Sequence, residues 1–196
     1  MISGIVLAGG SSRRMGRAKA LLDADGDTFL ERALDALGNG GCDELAVVLN
    51  TEDPIIDDIV ARAGARSTPG AGPGTEQIES LRAGLRSLSR SAEAVLVLPV
   101  DHPMVKPGTV AALIAAFRAS AAPVVRPIHQ GRPGHPVLFS AAVFEELLSG
   151  ELTEGARSVV RGHAEQRVDV EVEDRGVVVD IDTPSEYEKH FGEDPS

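Results

Sequence analysis

Tryptophan is absent and aromatic residues make up only 3% of the 196-residue chain, so its core must be built largely from aliphatic side chains. One cysteine, Cys42, excludes an internal disulfide and fits a reducing compartment. Standing alone, it reads as a small core or loop residue rather than a nucleophile. No signal-like N-terminal segment is present, and no apolar run reaches the roughly 18 residues of a membrane helix; neither export nor membrane spanning is expected. Cations are scarce, with Lys+Arg 19 against Asp+Glu 30 and a formal net charge of -11. That balance argues against general nucleic-acid binding, which needs a basic face. These absences describe a cytoplasmic chain long enough for one domain with a substantial core.

The few cations are concentrated. Arg13, Arg14, Arg17 and Lys19 fall within one short stretch, directly after an apolar run from Ile2 to Ala8 that breaks into Gly9-Gly10-Ser11-Ser12. A strand entering a glycine-rich, basic turn is suited to a polyphosphate. Backbone N–H groups approach an anion where side chains are missing, and nearby cations neutralise its oxygens. The plainer alternative is a strand-to-helix turn with a solvated basic face. The P-loop spacing is not met, because Gly10 and Gly16 are too far apart and Lys19 is followed by Ala20. The Gly-x-Gly-x-x-Gly dinucleotide fingerprint is absent as well.

Strand-like and helix-like segments alternate along most of the chain. Thr28-x-x-Glu31 has the form of a capping box opening a helix to about Leu37. Glu44 to Leu49 reads as a strand, and Asp53-Pro54 as the N-cap and first turn of a helix to about Ala63. Glu76 to Leu88 and Pro107 to Ala119 have helical character around a buried strand, Ala94 to Leu98. Further strands are expected at 124–126, 137–139, 167–172 and 177–182, with helices at 142–148 and 156–161 and a last one opened by Thr183-Pro184-Ser185-Glu186. Continuous apolar strands between helices predict one α/β domain, Rossmann-like, with a mostly parallel sheet flanked by helices. The domain is placed at 1–192, with 193–196 as a tail.

Two carboxylate clusters end strands. Asp101 closes Val95 to Val100 at the C-terminal edge of a buried strand, where ligands bind in open α/β sheets. It is read equally as a Mg²⁺ ligand or as a turn residue. Asp180 and Asp182 alternate along the expected last strand and so share a face; they are also placed to favour the N-terminus of the next helix. Gly131 to Pro136 is a Gly- and Pro-rich loop carrying Arg132 and His135. Ser80 lies in a helix, as a ligand contact or as a serine bonded to its own preceding turn. Arg157 is an anion contact or a solvated helix-end residue.

The segment Leu7-Ala-Gly-Gly-Ser-Ser-Arg-Arg-Met-Gly-Arg-Ala-Lys-Ala-Leu-Leu22 resembles the signature of the MobA-like nucleotidyltransferases, which have a glycosyltransferase-A-like fold. Asp101-x-Pro103, Gly131-x-x-Gly-His135-Pro136, Gly155-Ala-Arg157, Ser80-Leu-x-x-Gly84-Leu and Asp182-Thr-Pro resemble further family motifs, and together the resemblance spans nearly the whole chain. It implies Mg²⁺-dependent transfer of a nucleoside monophosphate from an NTP to the phosphate of molybdopterin, releasing pyrophosphate. Leu7, Ala8, Gly9, Gly10, Ser11, Ser12, Arg13, Lys19 and Ser80 would bind the nucleotide, with Arg14, Lys19 and Asp101 catalytic. Asp101 and Asp182 would hold the metal, and Arg132, His135 and Arg157 would face the acceptor. A molybdoenzyme is the implied client, with no membrane or nucleic-acid partner. Gly9 follows the family's guanylyl form, whereas Met-Gly-x-x-Lys, Gly-His-Pro and Gly-Ala-Arg follow the cytidylyl form, which favours CTP over GTP. A sugar-phosphate nucleotidyltransferase and a non-catalytic molybdenum-cofactor chaperone are the alternatives.

Overall fold

A computed structural model describes residues 1–9, 18–72 and 76–192. Ten strands and seven α-helices succeed one another in the order β1 (Ile2–Leu7), β2 (Asp23–Ala24), β3 (Asp27–Thr28), α1 (Phe29–Asn39), β4 (Glu44–Leu49), α2 (Pro54–Arg62), β5 (Arg66–Pro69) and α3 (Gln77–Ser87). The second half contributes β6 (Ala94–Pro99), α4 (Pro107–Ser120), β7 (Val124–His129), β8 (Arg132–Pro133), β9 (Val137–Ser140), α5 (Phe144–Ser149), α6 (Ala156–Gly162), β10 (Val168–Glu171) and α7 (Pro184–Phe191). The main sheet runs β10-β7-β9-β6-β1-β4-β5, with β8 beside β7. β1 is parallel to both β4 and β6, and β4 to β5. β9 is antiparallel to both of its neighbours. The expected α/β domain with a mostly parallel sheet is what forms.

Alternation along the strands feeds two hydrophobic layers. Ala94, Leu96 and Leu98 of β6 join Ile2 and Val6 on one face, under α1 and α4. Val95 and Val97 join Ile5 and Leu7 on the other, under α3 and α5. α1 forms because Phe29, Leu30, Ala33, Leu34 and Leu37 make one apolar stripe, and because Thr28 and Glu31 complete the expected capping box. The expected capping box at Thr183 and Glu186 likewise opens α7. The core is largely aliphatic; its aromatic exceptions are Phe139 and one cluster on α7. Tyr187 and Phe191 of α7 pack on Phe29, with ring centroids 6.1 and 5.6 Å away, and the Tyr187 hydroxyl donates to Asp23 O at 2.8 Å. These few rings pin the last helix to the first. Cys42 is partly buried beside Asp43; burial first, then that carboxylate, pushes its thiol up to about 12, so it stays protonated and unreactive.

One expectation is corrected. Val177 to Asp182 is not a strand: Arg175–Val178 forms a 3-10 turn, and irregular chain continues from it. Its backbone groups are engaged by loops instead of a ladder. Val177 O accepts from His135 N at 2.8 Å, and Ile181 N donates to Asp101 O at 2.9 Å. A Cβ on Gly176 would lie 2.1 Å from Met104 O, so only glycine permits this approach. β5 and the β2–β3 hairpin are additions to the expected layout. In β5 only Thr68 is buried, which leaves an edge strand with no apolar pattern to read.

Asp174, the N-cap of the 3-10 turn, ties that turn to the distant start of α4. Its Oδ2 accepts from Lys106 N at 2.8 Å and from Thr109 Oγ1 at 2.7 Å, and its Oδ1 from Gly176 N at 3.0 Å. Lys106 caps α4 without a side-chain bond of its own, so Asp174 is a remote cap for that helix. Asp174→Ala is expected to cost about 1–3 kcal/mol, because buried donors lose their partner. Denaturant unfolding measures this; an unchanged midpoint would show that α4 needs no such cap.

Candidate active site

The parallel strands β4, β1 and β6 lie side by side, and the chain turns outward from β1 to β4 and β5 before returning to β6 on β1's other flank. Such a reversal opens a crevice at the C-terminal ends of the strands, where ligands bind. Ala8 and Gly9 leave β1 there, Asn50 comes directly after β4, and Asp101 just after β6. α3 runs down from the same edge, with Gly84 packed against Ile5 and Val48, and Ser80 is buried one turn nearer its start. Gly10, Ser11, Ser12, Arg13 and Arg14 lie outside the described residues, as do residues 73–75 and the tail.

Lys19 re-enters the site in a 3-10 turn, Lys19–Leu21, whose Ala20 and adjoining Leu22 are buried. Its ammonium donates to Asp182 Oδ1 and lies 3.7 Å from Asp101 Oδ2. Its side chain is only 16% exposed, while Asp182 is 48% exposed, so water reaches the bridge from the Asp182 side. Residues distant in sequence therefore meet as two carboxylates around one cation. Asp182 is held by three devices: Ile181 N on Asp101 O, its own N–H on Glu186 Oε2 at 2.9 Å, and the Tyr187 anchor of α7. Backbone and hydroxyl hydrogen bonds from Asp182 and Thr183 hold the Glu186 carboxyl below the usual glutamate range.

Burial pushes the Asp101 carboxyl above the usual range. His102 and Lys19 oppose that shift, while the nearby carboxylates of Asp182 and Asp180 add to it. Among the described residues the buried Asp101 Oδ1 has no hydrogen-bond partner, and His102 Nε2 lies 3.8 Å away. An unpartnered carboxylate oxygen beside a second carboxylate fits a hard divalent cation whose remaining ligands are waters and phosphate oxygens. Among the described residues no three His, Cys, Asp or Glu side chains form a complete metal cage. The donor set is that of an open site rather than a closed structural one.

His135 packs against His102 with the rings tilted by 45° and their centroids 4.7 Å apart. Burial first, then His102 and Arg157, pulls its imidazole down to about 3, with the Val97 backbone opposing. His135 is therefore neutral at pH 7 and carries no positive charge into its surroundings. Arg157, at the start of α6, is near enough for its charge to be felt at His135. Gly134 is required because a Cβ there would lie 2.1 Å from Val177 O. Arg132 stands apart: it is exposed on the β8 hairpin, and its guanidinium makes no hydrogen bond or ion pair with a described residue.

Asn50 carries no motif and is missed by sequence reasoning. Its Nδ2 donates to Gly9 O, and its Oδ1 accepts from Gly72 N at 3.2 Å, tying the start of the glycine-rich turn to the 70–72 loop. A Cβ on Gly9 or Gly70 would meet the Asn50 side chain at 2.6 or 2.1 Å. The available signal is its position, a polar residue directly after the buried strand β4.

Gly9 at the exit of a parallel strand, the half-buried Lys19 and two convergent carboxylates meet at the sheet's switch point. The chain belongs to the MobA-like family: residues 4–169 match the MobA-like NTP transferase domain. It is similar to the probable molybdenum cofactor guanylyltransferase of Opitutus terrae, with 32% identity over 64% of this chain and 60% of the relative. It thus spans about three fifths of that relative's length. It is also similar to the purine catabolism protein PucB of Bacillus subtilis, with 30% identity over 94% of this chain and 93% of the relative. Among solved structures, the rv0371c homologue from Mycobacterium sp. strain JC1 superimposes with a TM-score of 0.78 at 27% identity, covering 96% of this chain and 93% of that one. No helix among the described residues is long and apolar enough to cross a membrane.

Proposed function

We propose that this nucleotidyltransferase moves a nucleoside monophosphate from an NTP, CTP by preference, to the terminal phosphate of molybdopterin, releasing pyrophosphate. The carrying observation is the Asp101–Lys19–Asp182 bridge at the switch point. Lys19 neutralises the triphosphate, joined by Arg14, while the backbone N–H groups of Gly9 to Ser12 wrap it and Arg13 adds charge. Leu7 and Ala8 form the floor where β1 ends, and Ser80 contacts base or ribose from α3. Asp101 and Asp182 would hold Mg²⁺, which would supply charge neutralisation for the phosphates. A phosphate monoester is already anionic near pH 7, so no side chain has to act as general base. Positioning and charge account for the acceleration. Arg157 meets the acceptor phosphate, and the neutral His135 bounds its pocket. The setting is the cytoplasm, and a molybdoenzyme receives the product.

A second reading, guanylyl transfer, is favoured by Gly9, which matches the guanylyl form of the motif, and by the name of the Opitutus relative. Pyrophosphate release with molybdopterin and Mg²⁺ across CTP, GTP, ATP and UTP separates the two. Turnover with CTP is expected; turnover with GTP alone would replace the first reading by the second. Turnover with sugar 1-phosphates in place of molybdopterin would assign a different acceptor. Tight cofactor binding without pyrophosphate would make the chain a carrier.

A further inference from the structure

We infer that Arg82 is a positioning residue for the acceptor side, its guanidinium fastening the turn after α5 to α3 and thereby placing Arg157 beside His135. This rests on the reading of Arg157 as an acceptor contact. A helix ends with carbonyls that have no partner within it. At the end of α5 two carbonyls are taken by one side chain from another helix: Leu147 O accepts from Arg82 Nε at 2.9 Å and Gly150 O from Nη2 at 2.6 Å. Nη1 donates to Glu79 Oε1 at 2.6 Å, one turn back on α3. The planar fork of an arginine can make all three bonds at once, which a lysine ammonium cannot match in direction. The side chain is 16% exposed, so these bonds are largely shielded from water.

Beyond Gly150 the chain forms a hydrogen-bonded unit. Gly155 N donates to Leu152 O, and Ser158 N to Gly155 O, each at 3.0 Å. Glu154 N donates to Ser158 Oγ at 3.2 Å. Gly155 turns at φ +58, and a Cβ there would lie 3.7 Å from Ile78 of α3, while Leu152 and Ala156 pack against the cluster that holds Ile78 and Leu81. Residues 150–157 thus lie along α3 from Arg82 to Ile78, and Arg157 is their far end. Ser80 lies on the same helix between those two points. One helix therefore serves the nucleotide side with Ser80 and sets the acceptor side through Arg82.

The test compares wild type with Arg82→Met and Arg82→Lys, using steady-state kinetics with NTP and molybdopterin varied separately and amide hydrogen exchange across 147–157. Arg82→Met is expected to raise the KM for molybdopterin about fivefold or more, with the KM for NTP and kcat changed less than about twofold. Exchange should quicken in 147–157, and Arg82→Lys should recover part of both effects. A rise in both KM values together, or an unchanged acceptor KM, overturns the inference. If wild type itself shows no turnover with molybdopterin, the functional reading has failed separately. Exchange still decides the clamp: quickening confined to 147–157 upholds it, and unchanged exchange overturns it.

Discussion

Asp101→Ala is expected to remove metal-dependent pyrophosphate release, a fall in kcat of about 10²–10³-fold, while the protein stays folded. Among the described residues Asp101 Oδ1 is buried and unpartnered, and burial holds its carboxyl above the usual range. A divalent cation bound there would supply the missing partner and favour the charged carboxylate. Folding should survive because the backbone link, Ile181 N to Asp101 O, does not involve the side chain. Losing a carboxylate that burial disfavours in its charged form should cost little stability and could raise it. Pyrophosphate assays over a Mg²⁺ titration, with circular dichroism as control, make the measurement. Wild-type turnover in a folded variant would remove Asp101 from the metal site.

Lys19→Ala is expected to lower kcat/KM by about 2–4 kcal/mol of transition-state stabilisation, roughly 30- to 1,000-fold. In the free protein its ammonium lies between Asp101 and Asp182, the position from which it could turn to a triphosphate. The loss should fall mainly on kcat, since negative charge shifts onto the leaving pyrophosphate as the bond breaks. The bridge supplies a second signature. Without Lys19 the two carboxylates repel unscreened, so added Mg²⁺ should raise the melting temperature more in the variant than in wild type. A kcat/KM within tenfold of wild type would make Lys19 a structural link between α7 and the sheet.

Much of the layout is legible because its causes are local. The capping boxes at Thr28 and Thr183, the Asp53-Pro54 helix start and the apolar runs of β1, β4 and β6 are each written in adjacent residues, and each forms close to its expected bounds. The misread segment, 177–182, shows the converse. Its apolar residues alternate as a strand would, yet their backbone partners are His135 N and Asp101 O, supplied by loops elsewhere in the chain. No period within the segment reports that. Asn50, Asp174 and Arg82 escape for the same reason, because each acts on backbone groups 22 to 68 residues away.

The sequence by itself determined the class of fold and the identity of the residues able to hold charge. Those properties come from hydrophobic period and from the residue types themselves. Only the tertiary structure decided that Lys19, Asp101 and Asp182 converge, that His135 is kept neutral by burial, and that Arg132 stays out on its hairpin. Convergence depends on which strand ends lie side by side, and desolvation depends on what packs above a side chain. Both are properties of the assembled sheet and its loops, set by contacts between residues that the chain keeps far apart.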